Sequence, residues 1–372
     1  MTYGKLVISC GGTGGHFFPG LATARELNRL GGEALLLLSG MNSVRQREIA
    51  EAFGVRAVVL PPMPSPGRNP LKIFRFLSGL IRGMFRSYRE IAAFRPDAAL
   101  GMGSFASLPV LLAAWRAKVP IYLHDGNARI GRANRYLSRI AVFLGTAFPA
   151  VNADRVHCPV ECTGMPLRRE LLEAASWTRE AALAELNRRH GTLLLNDLRT
   201  ILIFGGSQGA ATLNEQVPQA IFSLGSNDFQ VIHLTGPKNY EHAKSNYEKA
   251  PFPVLVLPGS DAMEILYSAA DLVISRSGGS TAAELLLFGK SALLVPYPYA
   301  AENHQWDNAR YLVKCGAAQA IDNADCGANR VAQWLTAFGD DIEGWAERAK
   351  RAKQFARPDA ANALLDRIFP AS

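Results

Sequence analysis

The sequence has little cysteine and no long hydrophobic run, and these absences exclude several classes of protein. Its five cysteines, at positions 10, 158, 162, 315 and 326, are spaced neither as a disulfide framework nor as a zinc site. No apolar run approaches the roughly 20 residues that span a bilayer. The amino terminus leads directly into an apolar strand, so we expect no signal peptide. A protein of the reducing cytoplasm fits best.

Common nucleotide signatures are also missing. No Asp-x-Asp occurs, so the usual clamp of a metal ion on a diphosphate is absent, and we predict neither a metal site nor a cofactor. Gly289-Lys-Ser291 resembles the end of a P-loop, but the upstream glycine is replaced by Glu284. The second predicted strand runs into Ser39-Gly40 without an acidic residue, which disfavours a nicotinamide cofactor.

Short apolar runs alternate with helical patterns along the whole chain, which at 372 residues is long enough for two domains. Continuous apolar runs are typical of strands buried on both faces of a parallel sheet. The sequence therefore predicts an α/β protein of two doubly wound, Rossmann-like domains with a cleft between them. We expect domains at 1–165 and 166–345, a hinge at Gly164–Arg168 and a carboxyl-terminal helix, about 346–372, that packs back on the first domain. The predicted strands are Lys5–Cys10, Ala34–Ser39, Ala57–Leu60, Ala98–Gly101, Pro120–His124, Ala141–Leu144, Thr200–Phe204, Gln230–Leu234, Val254–Leu257, Asp271–Ser275, Ala292–Val295 and Ala318–Ile321.

Three glycine-rich loops each follow a predicted strand and open a helix. They are Gly11–His16, Gly205–Ala210 and Arg276–Thr281. Glycine lets the backbone approach a ligand closely, and a helix amino terminus offers unpaired N–H donors and a positive dipole end. The three loops therefore predict a diphosphate-bearing ligand between the two domains.

Positive charge is concentrated in the first half of the chain. Residues 1–165 contain 20 Lys and Arg against 9 Asp and Glu, whereas the remainder contains 20 against 23. An anionic partner for the first half is therefore expected. The alternative is that the charge only keeps the protein soluble.

The segment Leu71–Glu90 combines large apolar side chains with five cations opposed by one glutamate. Such a helix is attracted to an anionic membrane surface. We predict this partner, and no nucleic acid. The alternative is a core helix with a solvated basic face. The predicted membrane contacts are Lys72, Phe74, Arg75, Leu77, Ile81, Arg82, Phe85 and Arg86.

Four residues carry candidate chemistry. His16 follows the first glycine loop, and its imidazole is suited to accept a proton from a hydroxyl group. Glu284, expected in the first turn of the third loop's helix, is placed to accept hydrogen bonds from ribose hydroxyls, although helix charging would also explain it. His304 and Gln305 follow a strand and offer groups for sugar hydroxyls. His16 alternatively caps its loop.

The chain resembles glycosyltransferase family 28, and within it the bacterial enzymes that add N-acetylglucosamine to the lipid-linked peptidoglycan precursor. The motifs that carry the resemblance occur in order over nearly the whole chain. They are Gly11–Gly20, Leu100–Gly103, His124–Asn134, Gly205–Ala210, Ser275–Gly278 with Glu284, and Pro296–Asn308.

The resemblance implies a GT-B fold and inverting, metal-independent transfer from UDP-N-acetylglucosamine. The acceptor would be undecaprenyl-diphosphate-linked N-acetylmuramoyl-pentapeptide, at its muramoyl C4 hydroxyl. Such an enzyme works peripherally at the cytoplasmic face of the plasma membrane, in cell wall biogenesis and hence cell shape and division.

The resemblance also implies roles for individual residues. The first loop with His16 would serve the acceptor, Glu284 the ribose, and the region around Met263 the uracil. Arg168 and Ser207 would meet the diphosphate, and Asn127 the donor sugar with Gln305. The full predicted donor-binding set is Thr13, Gly14, Gly15, Asn127, Arg168, Ser207, Gln208, Gly209, Met263, Ser277, Gly278, Glu284, His304 and Gln305.

The chain departs from the family pattern at Asp125, Gly126, Met165 and Ser104, where Glu, Gln, Asn and Gly are usual.

Two alternative functions share the GT-B fold. One is a glycosyltransferase acting on diacylglycerol or another lipid. The other is a UDP-N-acetylglucosamine epimerase, which needs an acid and a base, whereas the first glycine loop supplies His16 but no carboxylate. A binding protein without catalysis would keep the glycine loops but would not need the basic apolar helix.

Overall fold

The computed structural model describes residues 3–40, 42–63, 69–206, 209–225 and 228–370. The chain divides into two compact units. Unit 1 is Met1–Arg168 with Arg357–Ser372, and unit 2 is Arg169–Ala356. The return to unit 1 thus begins at Arg357 rather than near residue 346. The reason is that Trp345 is buried against Trp334 in the core of unit 2.

Unit 1 has a parallel sheet of seven strands among its described residues, in the order β3-β2-β1-β4-β5-β6-β7. Six of the strands lie where continuous apolar runs predict them. The seventh, β7, is three residues long and only partly buried, so its sequence carries too weak a pattern to predict it. The strands are β1 (Lys5–Cys10), β2 (Glu33–Leu38), β3 (Arg56–Val59), β4 (Ala98–Gly101), β5 (Ile121–Asp125), β6 (Phe143–Thr146) and β7 (Val160–Cys162).

Helices cover both faces of this sheet. Along β1, Leu6 and Ile8 belong to one apolar cluster and Val7 to another, which is why the run is continuously apolar. The last helix, α15, buries Leu364 in the first of these clusters, and Tyr3 donates a hydrogen bond to Asp366. The helices are α1 (Gly14–Arg29), α2 (Ser43–Ala52), α3 (Pro70–Phe94), α4 (Leu108–Arg116), α5 (Arg132–Leu137) and α15 (Ala360–Ile368).

Unit 2 has a second parallel sheet, of six strands among its described residues, in the order β10-β9-β8-β11-β12-β13. Its strands are β8 (Arg199–Phe204), β9 (Phe229–Leu234), β10 (Val254–Leu257), β11 (Leu272–Ser275), β12 (Ser291–Leu294) and β13 (Ala318–Ala320). Its helices are α6 (Arg169–Ala174), α7 (Arg179–His190), α8 (Ala211–Leu224), α9 (Tyr240–Ser245), α10 (Met263–Ala269), α11 (Gly279–Phe288), α12 (His304–Lys314), α13 (Ala328–Asp340) and α14 (Ile342–Ala352).

The strand orders confirm the predicted doubly wound topology and place the glycine loops within it. In unit 1 the order reverses between β1 and β4, and in unit 2 between β8 and β11. The loops that follow the two strands of such a pair diverge and open a crevice at their carboxyl ends. Each of the three glycine loops follows one of these four strands.

Candidate active site

The first glycine loop, Gly11–Thr13, joins β1 to α1. Gly11 and Gly12 have φ of 130° and 81°, values that side-chain-bearing residues rarely adopt. A Cβ added to Gly40, after β2, would lie 2.8 Å from the Gly12 Cα, so the loops after β1 and β2 pack backbone to backbone. Thr13 caps α1 without a side-chain hydrogen bond. The loop therefore presents backbone N–H groups at a helix amino terminus, which suits an anion.

His16 lies in the first turn of α1 and is partly buried. Its Nδ1 is 3.0 Å from the Thr13 Oγ1. The Cδ2–Nε2 edge of the ring packs on Gly103, where a Cβ would lie 3.3 Å from Cδ2. His16 thus lies between the loops that follow β1 and β4, at the switch point of the sheet. The proximity of Gly103 is a feature that the sequence pattern did not reveal.

The residue after Gly103 has an unusual backbone. Ser104 has φ 68° and ψ 159°, a region that is essentially restricted to glycine. Its Oγ accepts a hydrogen bond of 3.2 Å from the Ala106 N–H, and the hydroxyl of Ser107 donates to the Gly103 carbonyl at 2.8 Å. These bonds hold the loop beside His16 in its strained form.

The carboxyl end of β5 carries a buried polar cluster. His124 is fully buried, and its Nε2 donates to the Gly164 carbonyl at 2.8 Å. Burial lowers the pKa of His124 and thereby favours the neutral form of its ring. Asp125 accepts hydrogen bonds from the Gly131 N–H at 2.8 Å and from Asn134 at 3.0 Å. The backbone N–H of Asn127 also donates to Asp125, at 3.2 Å. Asp125 therefore orders the loop that carries Asn127.

Two further residues of unit 1, Met165 and Arg168, lie near the loop of Gly126 and near α1, respectively. Met165 is buried, and a Cβ added to Gly126 would lie 2.9 Å from its Cε and 3.8 Å from the Gly15 carbonyl oxygen. The guanidinium of Arg168 lies over the ring of Phe18, 4.9 Å from its centroid. Phe18 belongs to α1, so Arg168 lies close to the helix that carries His16.

In unit 2 the second glycine loop joins β8 to α8. Gly209 has φ 74°, and a Cβ there would lie 2.1 Å from the Thr235 carbonyl oxygen. The same carbonyl accepts a hydrogen bond of 2.9 Å from the Asn214 side chain, whose Oδ1 is 3.0 Å from the His233 Nε2. The close approach of the Thr235 carbonyl to the backbone of residue 209 therefore requires glycine at that position. Ser207 and Gln208 lie outside the described residues.

The third glycine loop follows β11. Arg276 is buried, and its Nη1 donates to the Val295 carbonyl at 2.9 Å. Desolvation lowers the pKa of Arg276 from its ordinary value. The hydroxyl of Ser277 is fully buried and donates to the Gln305 carbonyl at 2.8 Å, while Gly278 caps α11. Ser277 therefore ties this loop to α12, and the amino terminus of α11 supplies N–H donors.

Glu284 lies in the second turn of α11, so the expectation that it occupies the first turn is wrong. The helix begins only at Gly279, because the preceding glycine is its cap. The Glu284 carboxylate accepts a hydrogen bond of 2.8 Å from the hydroxyl of Tyr267, which is completely buried. Tyr267 lies on α10, whose first residue is Met263. Nothing in the sequence pattern marks Tyr267 as a partner of Glu284.

The turn before α12 brings His304 and Gln305 to the carboxyl end of β12. The Gln305 Oε1 accepts from the Tyr297 N–H at 2.9 Å, and the His304 Nδ1 donates to the Ala301 carbonyl at 2.9 Å. Glu302 and Asn303 both have positive φ, of 52° and 56°. The two side chains are therefore held by a tightly wound turn rather than by a regular helix start.

Metal-ligating side chains do not cluster in the part of the chain that the structure describes: no group of three or more His, Cys, Asp or Glu could hold an ion there. Helices of the described residues likewise include none long and apolar enough to cross a membrane.

Two family descriptions match the chain. Residues 6–143 match the glycosyltransferase family 28 N-terminal domain, and residues 200–364 match the C-terminal domain. The chain is 34% identical to the UDP-N-acetylglucosamine–N-acetylmuramyl-(pentapeptide) pyrophosphoryl-undecaprenol N-acetylglucosamine transferase of Halothermothrix orenii, over 98% of both chains. The chain belongs to glycosyltransferase family 28.

Solved structures agree with this assignment. The crystal structure of Acinetobacter baumannii MurG has 28% identity and a TM-score of 0.75, with 99% of each chain covered. A UDP-GlcNAc 2-epimerase from Neisseria meningitidis has a TM-score of 0.68 at 12% identity, over 97% of this chain and 98% of that chain, and this likeness shows the fold alone. The fold of this family 28 glycosyltransferase is GT-B.

Proposed function

We propose that this glycosyltransferase transfers N-acetylglucosamine from UDP-N-acetylglucosamine to the C4 hydroxyl of the muramoyl sugar of undecaprenyl-diphosphate-linked N-acetylmuramoyl-pentapeptide. The observation that carries the proposal is the 34% identity, over 98% of both chains, to a protein named for that transfer. The product is the complete lipid-linked disaccharide precursor of peptidoglycan.

Unit 2 is proposed to bind the donor. The amino termini of α8 and α11 lie at the switch point of its sheet and would stabilise the diphosphate. Glu284 would accept hydrogen bonds from the ribose hydroxyls, and the start of α10 at Met263 would line the uracil. Gln305 and His304 would contact the hydroxyls of the donor sugar.

Unit 1 is proposed to bind the acceptor and to supply the base. With the Nδ1 proton of His16 donated to the Thr13 Oγ1, the basic atom is Nε2. Nε2 takes the proton of the C4 hydroxyl as its oxygen attacks the anomeric carbon of the donor sugar. The new glycosidic bond forms opposite to the bond that breaks, so the configuration inverts and UDP leaves. Thr13, Gly14, Gly15, Asn127 and Arg168 are proposed as further contacts of the reactants.

The test is transfer of labelled N-acetylglucosamine from its UDP donor to purified undecaprenyl-diphosphate-linked N-acetylmuramoyl-pentapeptide. We expect a labelled disaccharide lipid, and no reaction of the donor alone. Transfer to diacylglycerol but not to the muramoyl lipid would show a different lipid glycosyltransferase. Conversion of UDP-N-acetylglucosamine without any acceptor would show an epimerase.

A membrane-binding face on α3 is the second part of the proposal. Phe74 is 69% and Phe85 67% exposed, and with Leu77, Ile81 and Tyr88 they form an exposed stripe at helical spacing. The opposite side of α3 is buried through Gly79, Gly83, Ser87, Ile91 and Phe94. A Cβ at Gly83 would lie 3.0 Å from Pro109, so small residues let α3 pack closely on α4.

This arrangement argues against a core helix, because large apolar side chains such as Phe74, Ile81 and Phe85 are exposed. Basic residues flank the stripe, which favours an anionic bilayer as its partner. We propose that the enzyme works peripherally at the cytoplasmic face of the plasma membrane, where its lipid acceptor resides, and that it serves cell shape and division through cell wall synthesis.

A further inference from the structure

Tyr267 connects the three elements of unit 2 to which the donor is assigned. Its hydroxyl donates to the Glu284 carboxylate at 2.8 Å, and its ring stacks on Phe288 with centroids 5.2 Å apart. Glu284 and Phe288 are one turn apart on α11, so Tyr267 contacts this helix at two points. The ring also meets Phe204 edge-to-face at 5.9 Å, and Phe204 ends the strand that leads into the second glycine loop.

The position of Tyr267 on its own helix adds a third link. It lies four residues after Met263, the first residue of α10, and therefore on the same side of that helix. A single buried side chain thus joins the helix proposed for uracil, the helix that carries Glu284 and the strand that leads to the diphosphate loop.

We propose that Tyr267 is a positioning residue, which holds the Glu284 carboxylate in the orientation that accepts both ribose hydroxyls of a uridine nucleotide. The inference rests on the proposed function, in which Glu284 binds ribose. Tyr267 is completely buried, so we propose that it acts through Glu284 and not by touching the nucleotide. A hydrogen bond to a charged carboxylate inside the protein fixes its rotamer, so the ribose meets a preorganised acceptor.

The experiment compares the binding of UDP and 2′-deoxy-UDP to the full-length protein by calorimetry. Tyr267→Phe removes only the hydroxyl and keeps the ring. We expect it to weaken UDP about five- to twenty-fold, with a much smaller effect on 2′-deoxy-UDP, so that the preference for the ribonucleotide falls. Turnover should show the same split: the KM for the UDP-sugar rises while kcat changes little.

Three further variants separate a positioning role from general damage to the protein. Glu284→Ala should abolish the preference for UDP, and adding Tyr267→Phe to it should change nothing more. Tyr247→Phe is the matched control, because that buried hydroxyl lies 3.0 Å from the His233 Nδ1 rather than near Glu284. It should leave the ratio of the two affinities unchanged.

The outcomes distinguish the positioning role of Tyr267 from the assignment of Glu284 to the ribose. If Glu284→Ala loses the preference but Tyr267→Phe keeps it, the positioning role of Tyr267 is refuted while the ribose assignment stands. If Glu284→Ala keeps the preference, the ribose assignment fails, and the positioning role fails with it. Should Tyr267→Phe not fold, 4-fluorophenylalanine at position 267 fills the space of the hydroxyl without donating a hydrogen bond to Glu284. An unchanged ratio of the two affinities in that protein would refute the inference equally.

Discussion

Met165 occupies the space that a side chain at position 126 needs. A Cβ on Gly126 would lie 2.9 Å from the Met165 Cε. Family 28 usually has Gln and Asn at these two positions, so the two departures fit each other sterically. The polar pair of the family is replaced by a glycine and a buried thioether beside the first glycine loop.

The contact between positions 126 and 165 predicts that substitutions at these two positions have non-additive effects on the free energy of unfolding. Gly126→Ala should cost little, because the end of a methionine side chain moves readily. Gly126→Gln should cost about 1–3 kcal/mol of unfolding free energy through overpacking. Combined with Met165→Asn, the double variant should be more stable than the sum of the single effects by about 1 kcal/mol or more. Urea unfolding of the four proteins measures this coupling, and strict additivity would show that the two departures are independent.

The strained backbone of Ser104 predicts that Ser104→Gly raises the Tm and that Ser104→Ala lowers it. Ser104→Gly should relieve a backbone conformation that costs about 1–3 kcal/mol in a residue with a side chain. The loss of the bond from Ala106 offsets part of this gain, so we expect Tm to rise by about 2–4 °C. Ser104→Ala keeps the strain and loses the bond, so its Tm should fall. A lower Tm for Ser104→Gly would mean that the loop is not strained.

His16→Ala should lower kcat about 10²–10⁴-fold if His16 is the general base. The affinity for UDP should hardly change, because the proposed uracil and ribose contacts lie in unit 2 and not beside His16. Thr13→Val provides a graded comparison: it removes the partner of Nδ1 and should cost about five-fold in kcat. Steady-state kinetics on the lipid acceptor provide the measurement. Activity of His16→Ala within a few-fold of the parent would restrict His16 to a structural role.

Most of the fold could be predicted because its strands are continuous apolar runs, three of which lead into glycine loops. Those loops lie where they do because glycine is needed: at Gly209 any side chain would collide with the Thr235 carbonyl. Strand β7 escaped prediction, since its three residues are partly exposed at the sheet edge.

The supporting contacts of the site could not be predicted from sequence. Tyr267 reads as one more aromatic residue in an apolar helix, and only the fold brings its hydroxyl to Glu284. The sequence also leaves open whether the apolar stripe of α3 faces the core or the solvent, because the apolar periodicity is the same in both cases. The structure distinguishes the two cases through the opposite side of α3, which is buried and where Gly83 lies close to Pro109 of α4.

The free energy of unfolding at acidic pH should depend on His233. Burial lowers the pKa of this ring to about 3 from an ordinary value of 6.5. Between these pH values the unfolded chain binds a proton that the folded protein does not, so stability falls as the pH decreases from 6.5 towards 3. His233→Asn should reduce the slope of unfolding free energy against pH by up to about 1.4 kcal/mol per unit. The exposed His190→Asn is the control, and an equal slope in parent and His233→Asn would contradict the assignment.

Vesicle binding tests the exposed stripe on α3. Phe74→Ser with Phe85→Ser removes its two most exposed rings, each worth about 1.5–3 kcal/mol when buried from water. We expect binding to anionic vesicles to fall at least about ten-fold, and binding of the parent to weaken with salt, because each basic residue near the surface contributes about 1 kcal/mol.

The matched control replaces two exposed apolar residues of unit 2, Trp177→Ser with Leu193→Ser, which are 45% and 75% exposed. This variant should bind vesicles as the parent does. Activity on a short, water-soluble acceptor should survive in both double variants, because neither pair belongs to the proposed reaction site. The bilayer holds the long-chain lipid acceptor, so binding of α3 to the bilayer should affect activity on that acceptor only. If Phe74→Ser with Phe85→Ser binds vesicles as the parent does, the membrane contact lies on another surface.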